Sequence, residues 1–279
     1  MDGSFDLIGA TPPASPVILS VPHAGRDYPA ALDAARRVPA SALMILEDRY
    51  VDAVAQGARG VETMIVQRRA RAWIDLNRGE DERDARIDEG VRPTAQAQAS
   101  VKLRSGLGLI PRRGGPAGDL WQRRFTAFEV EARIIADHRP YHAALADALI
   151  AARARFGVAV LLDVHSMPPL DGRTRVVLGD RFGKSASPRF VARLVSATAE
   201  MGMGCALNAP YAGGHILTRH AAPAAGIHAV QIELDRSLYL DSALDRPGQG
   251  MDDCVALLRH MIAAVEDEAL AGGRTLAAE

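Results

Sequence analysis

Two segments of the sequence end an apolar run with a histidine. Residues 17–21 are followed two positions later by His23, and residues 158–162 are followed by Asp163 and then His165. Each run is typical of a buried strand, and polar groups at the carboxyl end of such a strand commonly line a ligand crevice. Asp163 and His165 are two positions apart, so both project from one face of an extended chain. A histidine beside a carboxylate is suited to bind a metal or to act as a general base, although each histidine can also simply cap its strand.

Acidic residues in two further segments are candidates for the same chemistry. A helix is predicted over residues 39–60, in which Asp48 and Asp52 are four apart and share one face. Two acids on one face repel each other unless a metal, an arginine or solvent compensates their charge. Residues 227–235 are predicted as the last strand, and they contain Glu233. A glutamate in a buried strand is costly unless it is paired or takes part in chemistry.

Two loops carry groups that can contact a carboxylate or a carbonyl oxygen. A short strand predicted over residues 72–76 leads to Asn77 and Arg78, which offer an amide and a planar guanidinium. Gly213 and Gly214 are adjacent in a later loop. Two glycines let backbone amides approach a substrate closely, although the same pair also occurs in ordinary turns.

The middle of the chain combines a long irregular segment with a helical one. Residues 79–117 are rich in glycine, proline and arginine, and we predict that they form a lid over the site because long loops in compact domains are usually functional or disordered. Residues 119–155 are predicted as one helix, or as two divided at Pro140. His138 and His142 have a spacing that can hold a metal, but they lack the glutamate of a His-Glu-x-x-His helix, so a capping or anion-contacting role is favoured. An apolar stripe at helical spacing is predicted to face the core: Trp121, Phe125, Phe128, Ala132 and Ile135.

The composition is that of a globular protein. The 279 residues are 48% hydrophobic and 24% charged, which fits a single α/β domain over residues 1–279 with a lead-in loop at residues 1–16. The net charge of −1 gives no field that would favour nucleic acid or an anionic membrane. Cys205 and Cys254 form neither a metal-type spacing nor a disulfide framework. No apolar run is long enough to span a bilayer and no signal peptide is evident, so a cytoplasmic location is expected.

Taken in chain order, the motifs resemble those of the N-formylglutamate amidohydrolase family over about residues 17–265. They are Val-Pro-His23-Ala-Gly, Glu-Asp48-Arg-Tyr-Val-Asp, Ile-Asp75-Leu-Asn77-Arg78, Gly-Leu-Gly-Leu-Ile-Pro-Arg112, Asp163-Val-His165-Ser-Met, Gly213-Gly214-His and Gln-Ile-Glu233-Leu-Asp. The family is similar to zinc carboxypeptidases and aspartoacylase. The resemblance therefore implies a three-layer αβα fold with a mixed central sheet, of the zinc-carboxypeptidase-like kind.

The resemblance also implies a zinc hydrolase with one Zn²⁺ per chain. His23 and His165 match the metal histidines of the family, and Asp48 is chosen as the third ligand. Glu47 is the alternative, because the acid that follows the first histidine by three positions in carboxypeptidases is replaced here by Arg26. The implied substrate is a small N-acyl amino acid, with N-formylglutamate and histidine degradation as the family's typical case.

The same resemblance assigns the remaining roles. Glu233 matches the general base, while Arg78 and Asn77 would hold a substrate carboxylate or the carbonyl oxygen. Gly213 and Gly214 are expected near the substrate. A second substrate carboxylate has three candidate partners, which are equally plausible as surface arginines: Arg104, Arg112 and Arg219.

Two other functions remain open from the sequence. A metallo-carboxypeptidase or an amidase of peptide or cell-wall amides would need an open groove where a lid is predicted. A binding protein would use the same pocket without turnover. The chain is expected to act on a small molecule as a monomer or a small homo-oligomer.

Overall fold

The computed structural model describes residues 3–92 and 100–276, with side chains described as far as residue 271. Within these ranges the strands are β1 (Phe5–Ile8), β2 (Val17–Val21), β3 (Thr63–Gln67), β4 (Ala159–Met167), β5 (Thr174–Gly179), β6 (Gly204–Leu207) and β7 (Ile227–Asp235). They form one seven-stranded sheet in the order β1-β3-β2-β4-β7-β5-β6. The four central strands are parallel, whereas β1 runs antiparallel to β3 and β5 runs antiparallel to β7. The predicted mixed sheet is therefore confirmed.

Helices cover both faces of this sheet. They are α1 (Ala30–Asp33), α2 (Ala40–Leu43), α3 (Val51–Ala58), α4 (Val101–Arg104), α5 (Ala127–Arg133), α6 (Arg139–Phe156), α7 (Pro188–Glu200), α8 (His215–His220) and α9 (Met251–Leu276). Helices α3, α7 and α9 pack with one hydrophobic cluster, and α5, α6 and α8 pack with the other. This arrangement confirms the three-layer α/β fold. Among the described residues, no helix is both long enough and apolar enough to cross a membrane.

Alternation along the central strands decides which face carries the polar groups. In β4, Val160 and Leu162 belong to the cluster under α9, and Leu161 belongs to the cluster under α6. By the same alternation, Asp163 and His165 lie on the α6 face, beyond its apolar part. A shift of the strand register by one residue would move these polar groups into the apolar layer on the other face. There, burial of each large apolar side chain stabilises the fold by about 1.5–3 kcal/mol.

The register brings the polar ends of β4 and β7 together. Asp163 pairs with Gln231, and His165 pairs with Glu233. On the neighbouring strand, Ser20 pairs with Asp163. The carboxyl ends of three parallel strands therefore meet at one edge of the sheet, as expected for an α/β ligand site.

Two predicted elements near the amino terminus are wrong. Residues 1–16 contain the edge strand β1 rather than only a loop, and this strand is too short and too exposed to show a clear apolar pattern. The predicted helix over residues 39–60 is interrupted, since Glu47 is extended (φ −76°, ψ 145°) and Tyr50 is left-handed (φ 56°). Asp48 donates its backbone N–H to the His23 carbonyl at 3.0 Å, a tertiary bond that replaces the helical one.

Two further elements differ from the prediction. Residues 72–76 form a turn rather than a strand, and Asp75 N–H donates to the Leu109 carbonyl instead of to a neighbouring strand. Helix α5 begins only at Ala127, because Thr126 and Glu129 form a capping box there.

The apolar stripe predicted over this region is only partly core. Trp121 and Phe125 are buried but precede the helix, whereas Phe128 and Ile135 are 82% and 55% exposed. Helical structure is not broken at Pro140. A π-helical turn at Ile134–His138 joins α5 to α6, and Pro140 lies in the first turn of α6, where a proline is tolerated.

Candidate active site

The structure brings His23, Asp48 and His165 together at the carboxyl edge of the central strands. His23 Nδ1 lies 3.6 Å from Asp48 Oδ2, and His165 Nδ1 lies 3.1 Å from the same oxygen. The two imidazole rings have centroids 4.8 Å apart. All three side chains are buried, so their polar atoms face one another rather than solvent.

A carboxylate stands behind each of the two rings. His23 Nε2 donates to Asp75 Oδ1 at 2.7 Å, and His165 Nε2 donates to Asp163 Oδ2 at 2.8 Å. These bonds place a proton on Nε2 and turn Nδ1 toward Asp48. A carboxylate behind a histidine is the usual arrangement in metal sites, because it fixes the tautomer and raises the basicity of the ligand.

Local backbone features hold these groups in place. The chain after His23 passes so close to the next loop that a Cβ on Gly25 would lie 2.2 Å from the Arg69 carbonyl oxygen, so only glycine fits. Asp48 sits between two non-helical residues, which turn its side chain toward the histidines. Arg236 Nη2 donates to Asp48 Oδ1 at 3.1 Å and holds the carboxylate from the other side.

Glu47 is turned away from the histidines. Its carboxylate accepts hydrogen bonds from the Tyr28 hydroxyl and, at 2.8 Å, from Arg49 Nη1. Of the two acids considered for the third ligand, the structure therefore places Asp48, and not Glu47, beside His23 and His165.

The charges in this cluster are strongly coupled. Burial opposes charge on His165 and on Asp48. The Asp163 carboxylate nevertheless raises the pKa of His165 well above its usual range, and the neighbouring His165 and His23 lower the pKa of Asp48. Burial likewise raises the pKa of Asp75, but Arg71 and His23 more than reverse this effect. Ionised carboxylates surround the imidazoles, so the cluster favours a positive charge at its centre.

The donor set fits a metal ion. His23 Nδ1 is buried and makes no hydrogen bond. Ligands of a tetrahedral ion with bonds near 2.0–2.2 Å lie about 3.2–3.6 Å from one another, and the distances around Asp48 Oδ2 already fall close to that range. Two histidines and a carboxylate leave further positions open, as catalytic metal sites do.

Glu233 lies beside this cluster on β7. Gln231 Nε2 donates to Glu233 Oε1 at 2.8 Å and fixes the orientation of the carboxylate. Burial raises the pKa of Glu233 to about 7, with the negative charge of Asp48 adding to the effect and His165 opposing it. A carboxyl group with this pKa can accept and return a proton near neutral pH.

These groups share one cavity of about 1060 Å³. Asn77, Arg78, Gly213 and Gly214 line it together with the histidines, Asp48 and Glu233. The segment predicted as a lid also contributes to the wall, through residues such as Glu82, Lys102 and Leu107. Part of that segment, residues 93–99, lies outside the described residues.

Asn77 and the glycine loop fit together directly. Asn77 Nδ2 donates to Gln231 Oε1 at 3.3 Å and lies 3.5 Å from His165 Nε2, while Asn77 Oδ1 accepts from the Ile216 backbone. A Cβ on Gly214 would lie 2.3 Å from Asn77 Oδ1. The glycine thus admits the asparagine side chain, a reason for glycine that differs from the predicted approach of substrate to backbone amides.

Arg78 reaches the cavity wall with its guanidinium already held by carbonyl groups. Its Nε donates to the Leu107 carbonyl at 2.7 Å, and Nη1 donates to the Asn77 carbonyl at 2.6 Å. These bonds tie the predicted lid to the loop that carries Asn77.

The three arginines proposed for a second carboxylate do not belong to the described lining of the cavity. Arg112 is buried in ion pairs with Asp84 and Asp119, where it supports the lid segment. Arg104 and Arg219 are exposed, at the ends of α4 and α8. Sequence position alone could not distinguish these arginines from those that face the cavity.

Several residues of the site were missed in the sequence. Arg71 forms an ion pair with Asp75, with Nη2 and Oδ2 2.8 Å apart, and Arg236 contacts Asp48; both line the cavity. Lys102 and Arg181 also line it, and among the described residues neither forms an ion pair with a carboxylate. The run of arginines at 68–71 was visible in the sequence, but nothing in it indicated that Arg71 alone turns inward.

Comparison with known proteins agrees with the motifs. The family described as N-formylglutamate amidohydrolase matches residues 15–240. N-formylglutamate deformylase of Pseudomonas aeruginosa is 30% identical over 272 residues, which cover 93% of this chain and 94% of that protein. The Pseudomonas putida protein of the same name is 31% identical over 241 residues, with coverages of 81% and 82%.

A solved structure extends this likeness to the fold. N-formylglutamate amidohydrolase from Ralstonia eutropha superposes with a TM-score of 0.88 at 31% identity, covering 97% of this chain and 99% of that one. The family match spans the strands and turns that carry His23, Asp48, His165 and Glu233. The chain belongs to the N-formylglutamate amidohydrolase family.

Proposed function

We propose that the protein is a zinc-dependent hydrolase of the amide bond in N-formyl or other N-acyl amino acids, with N-formylglutamate as the leading substrate. The observation that carries the proposal is the convergence of His23, Asp48 and His165 with Glu233 on one cavity. The names of the similar deformylases support the choice of substrate.

Zinc suits the donor set better than magnesium or calcium, because two imidazoles and one carboxylate are typical of catalytic zinc sites and harder ions prefer oxygen. His23, Asp48 and His165 would hold the ion. When bound, zinc supplies Lewis acidity that polarises a carbonyl and lowers the pKa of a water molecule.

Glu233 performs the proton transfers of hydrolysis. Its carboxylate accepts a proton from the attacking water as the new C–O bond forms. It then delivers that proton to the amide nitrogen as the C–N bond breaks, which releases formate and a free amino group. The hydrogen bond from Gln231 keeps the carboxylate aimed at the cavity, and the pKa near 7 allows both transfers at neutral pH.

A dicarboxylate substrate fits the charge of the cavity. Lys102 and Arg181 approach it without carboxylate partners among the described residues. Partial burial lowers the pKa of Lys102, and the guanidinium groups of Arg78 and Arg71 lower it further. Cations that repel one another in this way are stabilised by an anionic ligand. We assign Lys102 and Arg181 to bind the carboxylates of the amino acid substrate, in place of Arg104, Arg112 and Arg219.

The predicted lid favours a small substrate over a peptide. Residues of the 79–117 segment close one side of the cavity, where a peptidase of long chains would need an open groove. Arg78 fastens this segment through the Leu107 carbonyl. The metallo-carboxypeptidase and cell-wall amidase alternatives are therefore less well supported.

The first test measures zinc in the purified protein together with hydrolysis of N-formyl-L-glutamate, before and after chelation. We expect zinc to accompany activity, chelation to abolish the release of glutamate, and added zinc to restore it. Full turnover in chelated, zinc-free protein would contradict the assigned mechanism. Bound zinc with hydrolysis only of short peptides would support the peptidase alternative instead.

A second test concerns the substrate carboxylate. Lys102→Met should raise KM for N-formyl-L-glutamate about tenfold with little change in kcat, since a charge-assisted contact contributes roughly 1.5–3 kcal/mol and this side chain is partly solvated. Arg104→Met is the matched control, because Arg104 lies on the same short helix but outside the described cavity lining. Equal effects of the two substitutions would remove Lys102 from the site.

A further inference from the structure

A second group of histidines, three of them buried and one half-buried, lies next to the active-site cavity. His138 and His142 come from the π-turn and α6, and His215 and His220 come from the two ends of α8. His142 stacks on His220 with centroids 5.1 Å apart, and its ring lies 4.4 Å from that of His138 and 5.3 Å from that of His215. Helices that are distant in the sequence thus bring four imidazoles together.

Hydrogen bonds on the outer side of the group fix the tautomers. His138 Nε2 donates to the Arg78 carbonyl at 2.8 Å, and His142 Nε2 donates to the Leu76 carbonyl at 3.0 Å. Both rings therefore carry their proton on Nε2 and direct the Nδ1 lone pair inward. The two histidines also hold the backbone on either side of Asn77.

Two of the inward nitrogens are left without a partner. His138 Nδ1 and His215 Nε2 are buried and make no hydrogen bond. His138 is fully buried, so solvent does not compensate its lone pair. Buried polar atoms are normally paired, and an unpaired one indicates a missing water, ion or ligand.

The rings are held neutral, as ligands must be. Burial lowers the pKa of His138, His142 and His215, and Arg219 lowers all three further. Neighbouring imidazoles of the group also lower the pKa of His142 and His215. A neutral histidine keeps its lone pair available for a metal ion. The Glu80 carboxylate lies beside the group, with Oε1 3.7 Å from His138 Nδ1.

We propose that His138, His142 and His215 form a second metal site, which takes a divalent transition metal such as Zn²⁺ from the active-site cavity. One nitrogen from each ring lies within 4.8 Å of the others. His215 lines the cavity and provides the route of entry. Neutral imidazoles are ligands that zinc, copper and nickel accept readily and that magnesium and calcium do not.

This second site binds more weakly than the first. Its nitrogens lie within 4.8 Å of one another, whereas a tetrahedral ion requires a spacing of about 3.4 Å. The metal also competes with His220, because His142 Nδ1 already shares a hydrogen bond of 2.8 Å with His220 Nε2. Filling it would clamp α6 to α8 across the segment that carries Asn77 and Arg78.

The test is a zinc titration of the metal-free full-length protein, followed by equilibrium dialysis and plasma emission. We expect the wild type to bind two equivalents, of which the second is weaker. His215→Gln should bind one, Asp48→Asn should bind one, and the double variant should bind none. His260→Gln is the matched control and should bind two, since His260 is exposed and contacts Glu200.

Cobalt provides a readout that does not depend on catalysis. Asp48→Asn loaded with Co²⁺ should keep a visible absorption band of a nitrogen-ligated ion, and the added His215→Gln substitution should remove it. His138→Gln repeats the test from the opposite side of the group, and far-ultraviolet circular dichroism checks that each variant is folded. A wild type that saturates at one equivalent would overturn the proposal, as would a second equivalent that persists in both His138→Gln and His215→Gln.

Discussion

The two histidine groups of this protein differ in what stands behind the rings. In the active site, carboxylates of Asp75 and Asp163 accept the Nε2 protons of His23 and His165. In the second group, the acceptors behind His138 and His142 are the backbone carbonyls of Arg78 and Leu76. In both groups a ring nitrogen points inward, and each group contains a buried histidine nitrogen without a hydrogen-bond partner.

The charge of that acceptor changes the chemistry of the ring. Despite burial, the Asp163 carboxylate raises the pKa of His165, whereas burial with no carboxylate behind the ring lowers the pKa of His142. A more basic imidazole is a stronger metal ligand. The comparison therefore predicts a tight site where acids support the histidines and a weak one where carbonyls do.

The largest expected effect tests whether the group that contains His23 and His165 is the catalytic one. Glu233→Gln should lower kcat by about 10²–10⁴-fold, because it removes the group that transfers the proton, while the metal stays bound. Steady-state kinetics with N-formyl-L-glutamate and metal analysis of the same sample measure both quantities. Glu200→Gln, which removes an exposed acid, is the control and should keep normal turnover. Unchanged turnover in Glu233→Gln would assign the proton transfer to another residue.

A smaller effect tests the role of the carboxylate behind the ring. Asp163→Asn keeps an acceptor for His165 but removes the charge, so zinc affinity at the first site should fall by about 10–100-fold. Competition with a zinc chelator measures the affinity. Asp235→Asn is the control, since Asp235 is equally buried but bonds Ser237 and Arg175 away from the site. If the two variants bind zinc equally well, the acceptor's charge is not what separates the two groups.

A third effect, on stability rather than on turnover or metal affinity, concerns a buried histidine outside both groups. His228 Nδ1 accepts from Ser187 N–H and the ring packs on Phe190; burial lowers its pKa to about 4, with the nearby Arg189 adding to the effect. The unfolded chain binds this proton below pH 6.5 and the folded chain does not, so its contribution to stability is complete above pH 6.5. It is lost as the pH falls toward about 4, by at most roughly 3 kcal/mol.

Urea unfolding of metal-free protein between pH 7 and pH 4 measures this loss. His228→Gln should flatten the dependence relative to the wild type, whereas His260→Gln, an exposed histidine, should not. A wild type and a His228→Gln variant with parallel curves would mean that burial alone does not hold a histidine neutral in this fold.

Much of the site was predictable because parallel strands end at one edge. His23, His165 and Glu233 each follow or finish an apolar strand, and the pattern of alternation places each on a definite face. The helix predicted to place Asp48 and Asp52 on one face is interrupted, so that reason for considering Asp48 was wrong, and its choice as a ligand rested on the family resemblance. The hydrogen bond from Asp48 N–H to the His23 carbonyl joins segments that no local pattern connects.

The arginines show the limit of sequence reasoning most clearly. Arg71, Arg181 and Arg236 face the cavity, while Arg112 is paired with two aspartates away from it. Local propensity is the same for all of them. Their roles depend on which carboxylates the folded chain places nearby.

The sequence by itself determined the layered α/β fold, the polar strand ends and the family, because these follow from apolar periodicity and from short motifs in a fixed order. Only the tertiary structure decided that Asp48 rather than Glu47 meets the two histidines, that Asp75 supports His23, and that His138 and His142 are joined by His215. The physical reason is that these contacts link residues far apart in the chain. Their geometry is set by how helices and loops pack on the sheet, and local interactions do not encode it.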